Sequence, residues 1–222
     1  MSRSFVHRSV SGAARSYSLV LPAGFVHVGG SWSPEVALSE VVGQLGLEDD
    51  HASDFRRQAR PLLETPTTAT RTGLRLLDSY ALAGTWPGTR ISATVTCGVA
   101  DVPPGADPDH TLMAQAARNG GCITAVAGEP AVSWTDGGDV VSLPGLPSPV
   151  TVLHRRTTLS RIHGLRSHLF IVVATVGGEV RDADDDPDGT ITDALSDLLA
   201  AIVETIRWRD GDGSTITDRA TE

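Results

Sequence analysis

The chain has 222 residues, 40% of them hydrophobic, and a formal charge of -9 from 18 Lys plus Arg against 27 Asp plus Glu. It is long and apolar enough to bury a core as one domain, which excludes an intrinsically disordered chain. The acidic balance excludes a polyanion such as nucleic acid as main partner, since phosphate contact needs concentrated Lys or Arg. All 18 basic residues are Arg, the usage that GC-rich codons produce, and the negative excess is concentrated from Arg181 onward.

In chain order, residues 16–28 (SYSLVLPAGFVHV) predict two short strands around a Pro-Ala-Gly turn, with Leu19, Leu21, Phe25 and Val28 as candidate core positions. Ser33 and Pro34 then open a helix with an apolar stripe at Val36, Leu38, Val41 and Val42, ending near Gly43 to Gly46. A second helical piece runs from about Ala52 to Leu63 with Phe55, Leu62 and Leu63, and Pro61 is expected to kink or interrupt it. Residues 65–73 are left open. From Gly73 the period changes to that of strands. LRLLDSYALAG and TRISATVTCGV flank a turn at Trp86-Pro87-Gly88, and the second alternates at Ile91, Ala93, Val95 and Cys97.

A short helix follows, with Asp109 as expected N-cap and Gly120 as stop. One or two strands are expected between Ala125 and Leu143, around a Gly-Gly turn at 137–138. GLPSPVTVLHRRTTL and SHLFIVVATV then predict an antiparallel pair, the first with Val150, Val152 and His154 on one face, the second apolar enough for a central strand beneath a helix. DALSDLLAAIVETIRW predicts the strongest helix, with Leu195, Leu198, Leu199, Ile202, Ile206 and Trp208 on its apolar face and Thr192 or Asp193 as cap. Hairpins outnumber strand-helix-strand crossovers in this order, so the expected fold class is α+β, a mainly antiparallel sheet with flanking helices. The expected organisation is a flexible N-terminus at 1–14, a single domain at 15–209 and a flexible acidic tail at 210–222.

Recognisable chemistry is scarce. The sequence has no dinucleotide fingerprint, Walker loop, Gly-x-Ser-x-Gly elbow or His-Glu-x-x-His. His27-Val28-Gly29-Gly30-Ser31 offers backbone amides to an anion, or simply ends a strand. His154, His163 and His168 could approach one another in a late hairpin, or remain scattered. Arg155, Arg156, Arg161 and Arg166 with His154 form the most basic stretch, too small and without stacking aromatics for nucleic acid. Asp184, Asp186, Asp188 and Gly189 have the opening spacing of a calcium loop, but its twelfth position, where a bidentate acid belongs, is Leu195. The preferred reading is a solvated Asp-rich loop whose charge favours the N-terminal end of the next helix. No metal, cofactor or catalytic residue is therefore assigned. Cys97 and Cys122 are read as reduced thiols, one disulfide being the alternative. Without a signal peptide or an apolar run of spanning length, the expected location is the cytoplasm with no membrane insertion.

Leu21, Pro22 and Gly24 in YSLVLPAGFVHV, the strand HLFIVVATV, and Arg207 and Trp208 closing LLAAIVETIRW carry a resemblance to a group of uncharacterised actinobacterial proteins. These are similar in turn to the Mog1/PsbP-like α+β fold, which includes mycobacterial lipoproteins. Phe25 stands where that pattern usually has Trp. The resemblance covers about residues 16–209, supplies no catalytic residues, and implies a role in binding protein partners. The expected function is thus a non-enzymatic accessory or protein-binding domain, with a homodimer through an exposed strand edge allowed. The alternatives are a small-molecule or weak divalent-metal binding protein, or a hydrolase-type enzyme with no recognisable motif.

Overall fold

The structure is a computed structural model that describes residues 2–4, 13–64, 74–142, 149–179, 186 and 188–216. Its elements are β1 (Ser2–Ser4), β2 (Ser16–Ser18), β3 (Phe25–Gly29), α1 (Pro34–Leu45), α2 (Asp49–Glu64), β4 (Leu74–Leu82), β5 (Ser92–Asp101) and α3 (Pro108–Asn119). These are followed by β6 (Cys122–Val126), β7 (Glu129–Asp136), β8 (Val140–Val141), β9 (Val150–Ile162), β10 (Leu165–Glu179), α4 (Thr190–Glu204) and β11 (Arg207–Arg209).

The expected α+β class is what is found. One antiparallel sheet runs β3-β4-β5-β10-β9-β7-β6, with β8 also pairing β9, and a second, three-stranded sheet runs β1-β2-β11. The period-two pattern read in β5 decides the main core. Ile91, Ala93, Val95 and Cys97 are fully buried, and opposite them on β10 lie Val172, Ala174 and Val176. Leu195, Leu199 and Ile202 of α4 pack on this face together with Tyr17 and Trp208 of the small sheet. On the other face α3 covers a smaller cluster of Val102, Leu112, Ala116, Val132, Leu159 and Leu169. The α1–α2 pair stands on that same face at the β3–β4 end, and the strip between the two helical units is lined by Ser79, Thr94, Thr96 and Thr175, which are half-buried.

Several local expectations change. Ser33 caps α1 and Gly46 closes it at φ 62°, but Ala37, not Val36, completes the buried stripe, and Val36 is exposed. α2 continues through Pro61 to Glu64 as one helix, although Pro61 has no N–H to give the carbonyl one turn back. The N-cap of α3 is Asp107, whose Oδ1 accepts from Asp109 N and His110 N at 2.8 and 3.1 Å, and Asp109 sits within the first turn. Those amide donors hold the Asp107 carboxyl below the usual range. α4 ends at Glu204, and Trp208 belongs to β11, which pairs with β2 in register Trp208↔Tyr17. Helix and strand are joined by so short a link that an amphipathic pattern runs unbroken across the change. β2 and β3, read as neighbours around one turn, lie in different sheets. Ala13 and Ala14 are buried, and Arg209 bridges Thr215 beyond β11.

Candidate functional site

A concave apolar cleft of about 600 Å³ lies between the helix pair and the β3–β4 end of the sheet. α1 docks on the edge strand through a paired contact. Gln44 Oε1 accepts from His27 N at 2.7 Å, and Gln44 Nε2 donates to the His27 carbonyl at 2.9 Å. α2 packs mainly on α1, so its inward residues Phe55, Ala59 and Leu63 overhang the sheet without closing onto it. Val26, Val28, Ala81 and Leu82 line the strand side, and Ala37, Leu38, Val41, Leu45 and Leu47 line the α1 side. Every lining residue among the described ones is apolar, so none of them can donate a proton, hold a metal or act as nucleophile.

The chemistry-bearing residues that the structure does gather lie beneath β3 and β4, on the opposite face. Tyr17 Oη donates to Asp78 Oδ2 at 2.7 Å, His27 Nε2 lies 2.6 Å from Asp78 Oδ1, and the hydroxyls of Tyr17 and Tyr80 are 3.4 Å apart. The fully buried Cys97 completes the group, and Trp32 stacks edge-on against His27 at 4.8 Å. Burial, reinforced by Cys97, Tyr80 and Asp78, pushes the Tyr17 phenol far above its ordinary range, so it remains a donor. Burial likewise pushes the Cys97 thiol up to about 12. His27 and Asp78 are 2% and 1% exposed. Such a group has no route to a substrate, and its role is to fasten the small sheet to the main one. Asp78 in the middle of LRLLDSYAL was the sequence signal for it, because a carboxyl in a buried strand requires partners.

The Gly29-Gly30 pair, read as a possible anion cradle, serves packing instead. A Cβ on Gly29 would meet Trp32 at 2.7 Å and one on Gly30 would meet the Leu76 carbonyl oxygen at 2.5 Å, while Gly30 N donates to Leu77 O. The late hairpin forms as expected but keeps its histidines apart. His154 lies beside α4, His163 Nδ1 pairs with Glu129 Oε1 at 2.7 Å, and His168 Nε2 lies 3.1 Å from Asp101 Oδ1. Ser167 Oγ also contacts His168 Nδ1 at 2.7 Å, which makes a Ser-His-Asp chain. Ser167 is exposed and precedes His168 directly in sequence, and Asp101 is 78% exposed. A nucleophile needs an enclosed acyl site and oxyanion donors, so this is a surface hydrogen-bond chain.

The basic stretch is divided by strand alternation. Arg155 pairs with Asp136 and Asp139 on one face, Arg156 turns to the other, and Arg161 reaches Asp109 and Glu129. Of the Asp-rich loop, Asp184 lies outside the described residues, and Asp186 caps α4. Its two oxygens accept from Ile191 N at 3.0 Å and Thr192 N at 2.8 Å, which the N-cap Gly189 has no side chain to do. Burial opposes ionisation of Asp186, but these donors outweigh it and hold the carboxyl below its usual range. Cys97 and Cys122 are free thiols. They sit on strands four positions apart in the sheet, roughly 19 Å at about 4.8 Å per strand, beyond the reach of a disulfide.

No family model matches the sequence. No curated protein matches it either. Among solved structures the chain is similar to the crystal structure of LpqN, involved in cell envelope biogenesis of Mycobacterium tuberculosis, at 12% identity and a TM-score of 0.41, over 90% of this chain and 87% of that one. A superposition this loose carries no functional information. No helix among the described residues is long and apolar enough to cross a membrane.

Proposed function

We propose that the chain is a non-enzymatic binding domain that takes an apolar small molecule bearing a hydrocarbon chain into the cleft beneath α1 and α2. The observation that carries this reading is a cavity of about 600 Å³ whose described lining residues are all apolar. That volume lies within the span of small-molecule sites, and an unfilled apolar cavity leaves its walls without packing partners. Residues 65–73, which follow α2 directly, include no large apolar side chain that could fill it. Exposed large apolar side chains elsewhere include Trp86 in a turn, Met113 on α3, Ile123 on β6 and the adjacent Val140 and Val141 on β8.

The test is displacement of a polarity-sensitive naphthalene dye by dodecanoate and hexadecanoate, in the wild type and in Ala59→Phe and Ala81→Phe, which fill the cleft from opposite walls. The wild type should bind with saturable displacement, and both variants should bind at least tenfold more weakly while melting no earlier. Dye and acyl chains that bind the filled variants as tightly as the wild type would sink the proposal.

A protein partner is the second reading, favoured by β6. Among the described strands it has β7 on one side and none on the other, and Ile123 on it is 71% exposed. In this reading the partner is a second copy of the chain, joined strand to strand. A concentration-dependent mass that stays monomeric in Ile123→Lys supports it, and a monomer at all concentrations refutes it. The exposed thiol of Cys122 supports a reducing, cytoplasmic compartment. The element order, with the Pro22-Ala23-Gly24 turn and the buried Trp208, supports a Mog1/PsbP-like fold.

A further inference from the structure

On the face of the sheet opposite the apolar cleft, two adjoining cavities of about 140 and 330 Å³ lie between α4 and the β9–β7–β6 end. They share Arg156 and Ala200 as walls and so adjoin in one cleft, charged along Arg156 and α4 and apolar along Ala125, Val126, Ala174 and Val203. The sheet wall carries the guanidinium of Arg156 and the imidazole of His154. Arg156 and His154 stand two residues apart on β9, on one side of the strand, with Thr135 beside them. The helix wall carries carboxylates, Asp193 and Asp197 one turn apart on α4, with Glu204 at the far end.

These opposite charges face one cleft without meeting. The described residues place no carboxylate within 4.0 Å of Arg156, and its one hydrogen bond there is a long 3.5 Å contact from Nη2 to Ser133 Oγ. The neighbouring Arg155 shows what the same side chain does when it serves the fold, with bonds of 2.6 and 2.8 Å to Asp136 and Asp139. A half-buried guanidinium has five donors to satisfy and favours a planar oxyanion held by two of them. A carboxylate pair on the facing helix has the matching preference for an ammonium group. A monovalent anion would relieve one wall and be repelled by the other.

We propose that this cleft binds a small zwitterion, with its carboxylate on Arg156 and His154 and its ammonium on Asp193 and Asp197. The site shares no residue with the apolar cleft, so the two proposals stand or fall separately.

The experiment is a nitrogen-15 correlation NMR titration of the full chain with 5-aminopentanoate, against pentanoate, pentylamine and glucose as controls. The amides of Thr135, Ser196 and Ala200 report the site. Saturable shifts are expected with 5-aminopentanoate, at an affinity at least tenfold above either singly charged control. Arg156→Gln should remove the preference over pentylamine, and Asp193→Asn with Asp197→Asn the preference over pentanoate. If Arg156→Gln fails to fold, Arg156→Lys should weaken binding while keeping the preference. The proposal is overturned if no shift saturates by about 10 mM probe. Pentanoate or glucose binding as well as the zwitterion, or variants binding as the wild type does, would also overturn it.

Discussion

Replacing Tyr17 with Phe isolates the bond that fastens the two sheets. The Phe ring keeps the contact with Phe170, whose ring centroid lies 5.0 Å from that of Tyr17, so little apolar packing is lost. What is lost is the 2.7 Å donation to Asp78 Oδ2, on a side chain 1% exposed. Losing a buried hydrogen bond to a carboxyl group costs about 1.5–3 kcal/mol, and about 2 kcal/mol is expected for Tyr17→Phe. In a chain of this size that corresponds to a fall in Tm of about 4–8 °C. Urea unfolding followed by tryptophan fluorescence measures it, with a lower midpoint and an unchanged slope. Tyr80→Phe, which removes a hydroxyl 3.4 Å from that of Tyr17, should cost less than half as much. A Tyr17→Phe protein within about 0.5 kcal/mol of the wild type would refute the reasoning, since that is the scatter of substitutions touching nothing structural.

The same phenol sets an alkaline limit. Its folded pKa is raised, so its contribution to stability is complete below about pH 10, the unfolded value, and is lost as pH rises above it. In Tyr80→Phe, where Tyr17 is the one remaining tyrosine, near-ultraviolet phenolate absorbance should therefore appear together with unfolding and not before it. Asp186 gives the acid counterpart. Its folded pKa is lowered, so its cap is fully effective above about pH 4 and fades as pH falls through the folded value. Asp186→Ala should cost about 1 kcal/mol at neutral pH, with the gap from the wild type narrowing in acid titrations of thermal stability. Iodoacetamide at neutral pH should label Cys122 and leave Cys97 unmodified until the protein is denatured, as the burial-raised value of about 12 for Cys97 requires; peptide mapping reads this directly.

Long elements with one dominant signal were legible in the sequence. The alternation of β5, the apolar run of β10 and the caps of α1 all correspond to local physical requirements, and each lies where expected. Misreadings arose where one pattern served two structures. The apolar spacing of α4 runs on into Ile206 and Trp208, which the chain uses to enter a strand. β6 and β7 join through Ala127-Gly128, at φ 50° and 83°, a two-residue turn normally signalled by Asn-Gly, so no hairpin was foreseen there. The clefts were less legible still. The apolar one depends on α2 standing away from the sheet, and its residues are individually ordinary core positions. The polar one depends on β9 presenting Arg155 and Arg156 to opposite faces, which turns a basic stretch into one paired arginine and one facing α4. The buried Tyr17, His27 and Asp78 come from three strands and two sheets, so only Asp78, a carboxyl inside an apolar strand, pointed to them.

The contact between Gln44 and His27 bears on how far this molecule can assemble. Both backbone groups of His27 turned away from β4 are occupied by the Gln44 amide, so the β3 side of the sheet is sealed by the chain itself. The β6 side has no such cover among the described residues. A sheet open at both ends could recruit copy after copy into a filament, whereas one sealed end limits recruitment to a single event. Two copies meeting at β6 would present a β3 edge at each extremity, and neither would accept a third. In the strand-to-strand pair proposed above, the Gln44 amide would hinder further growth at the β3 edge by holding the outward groups of His27.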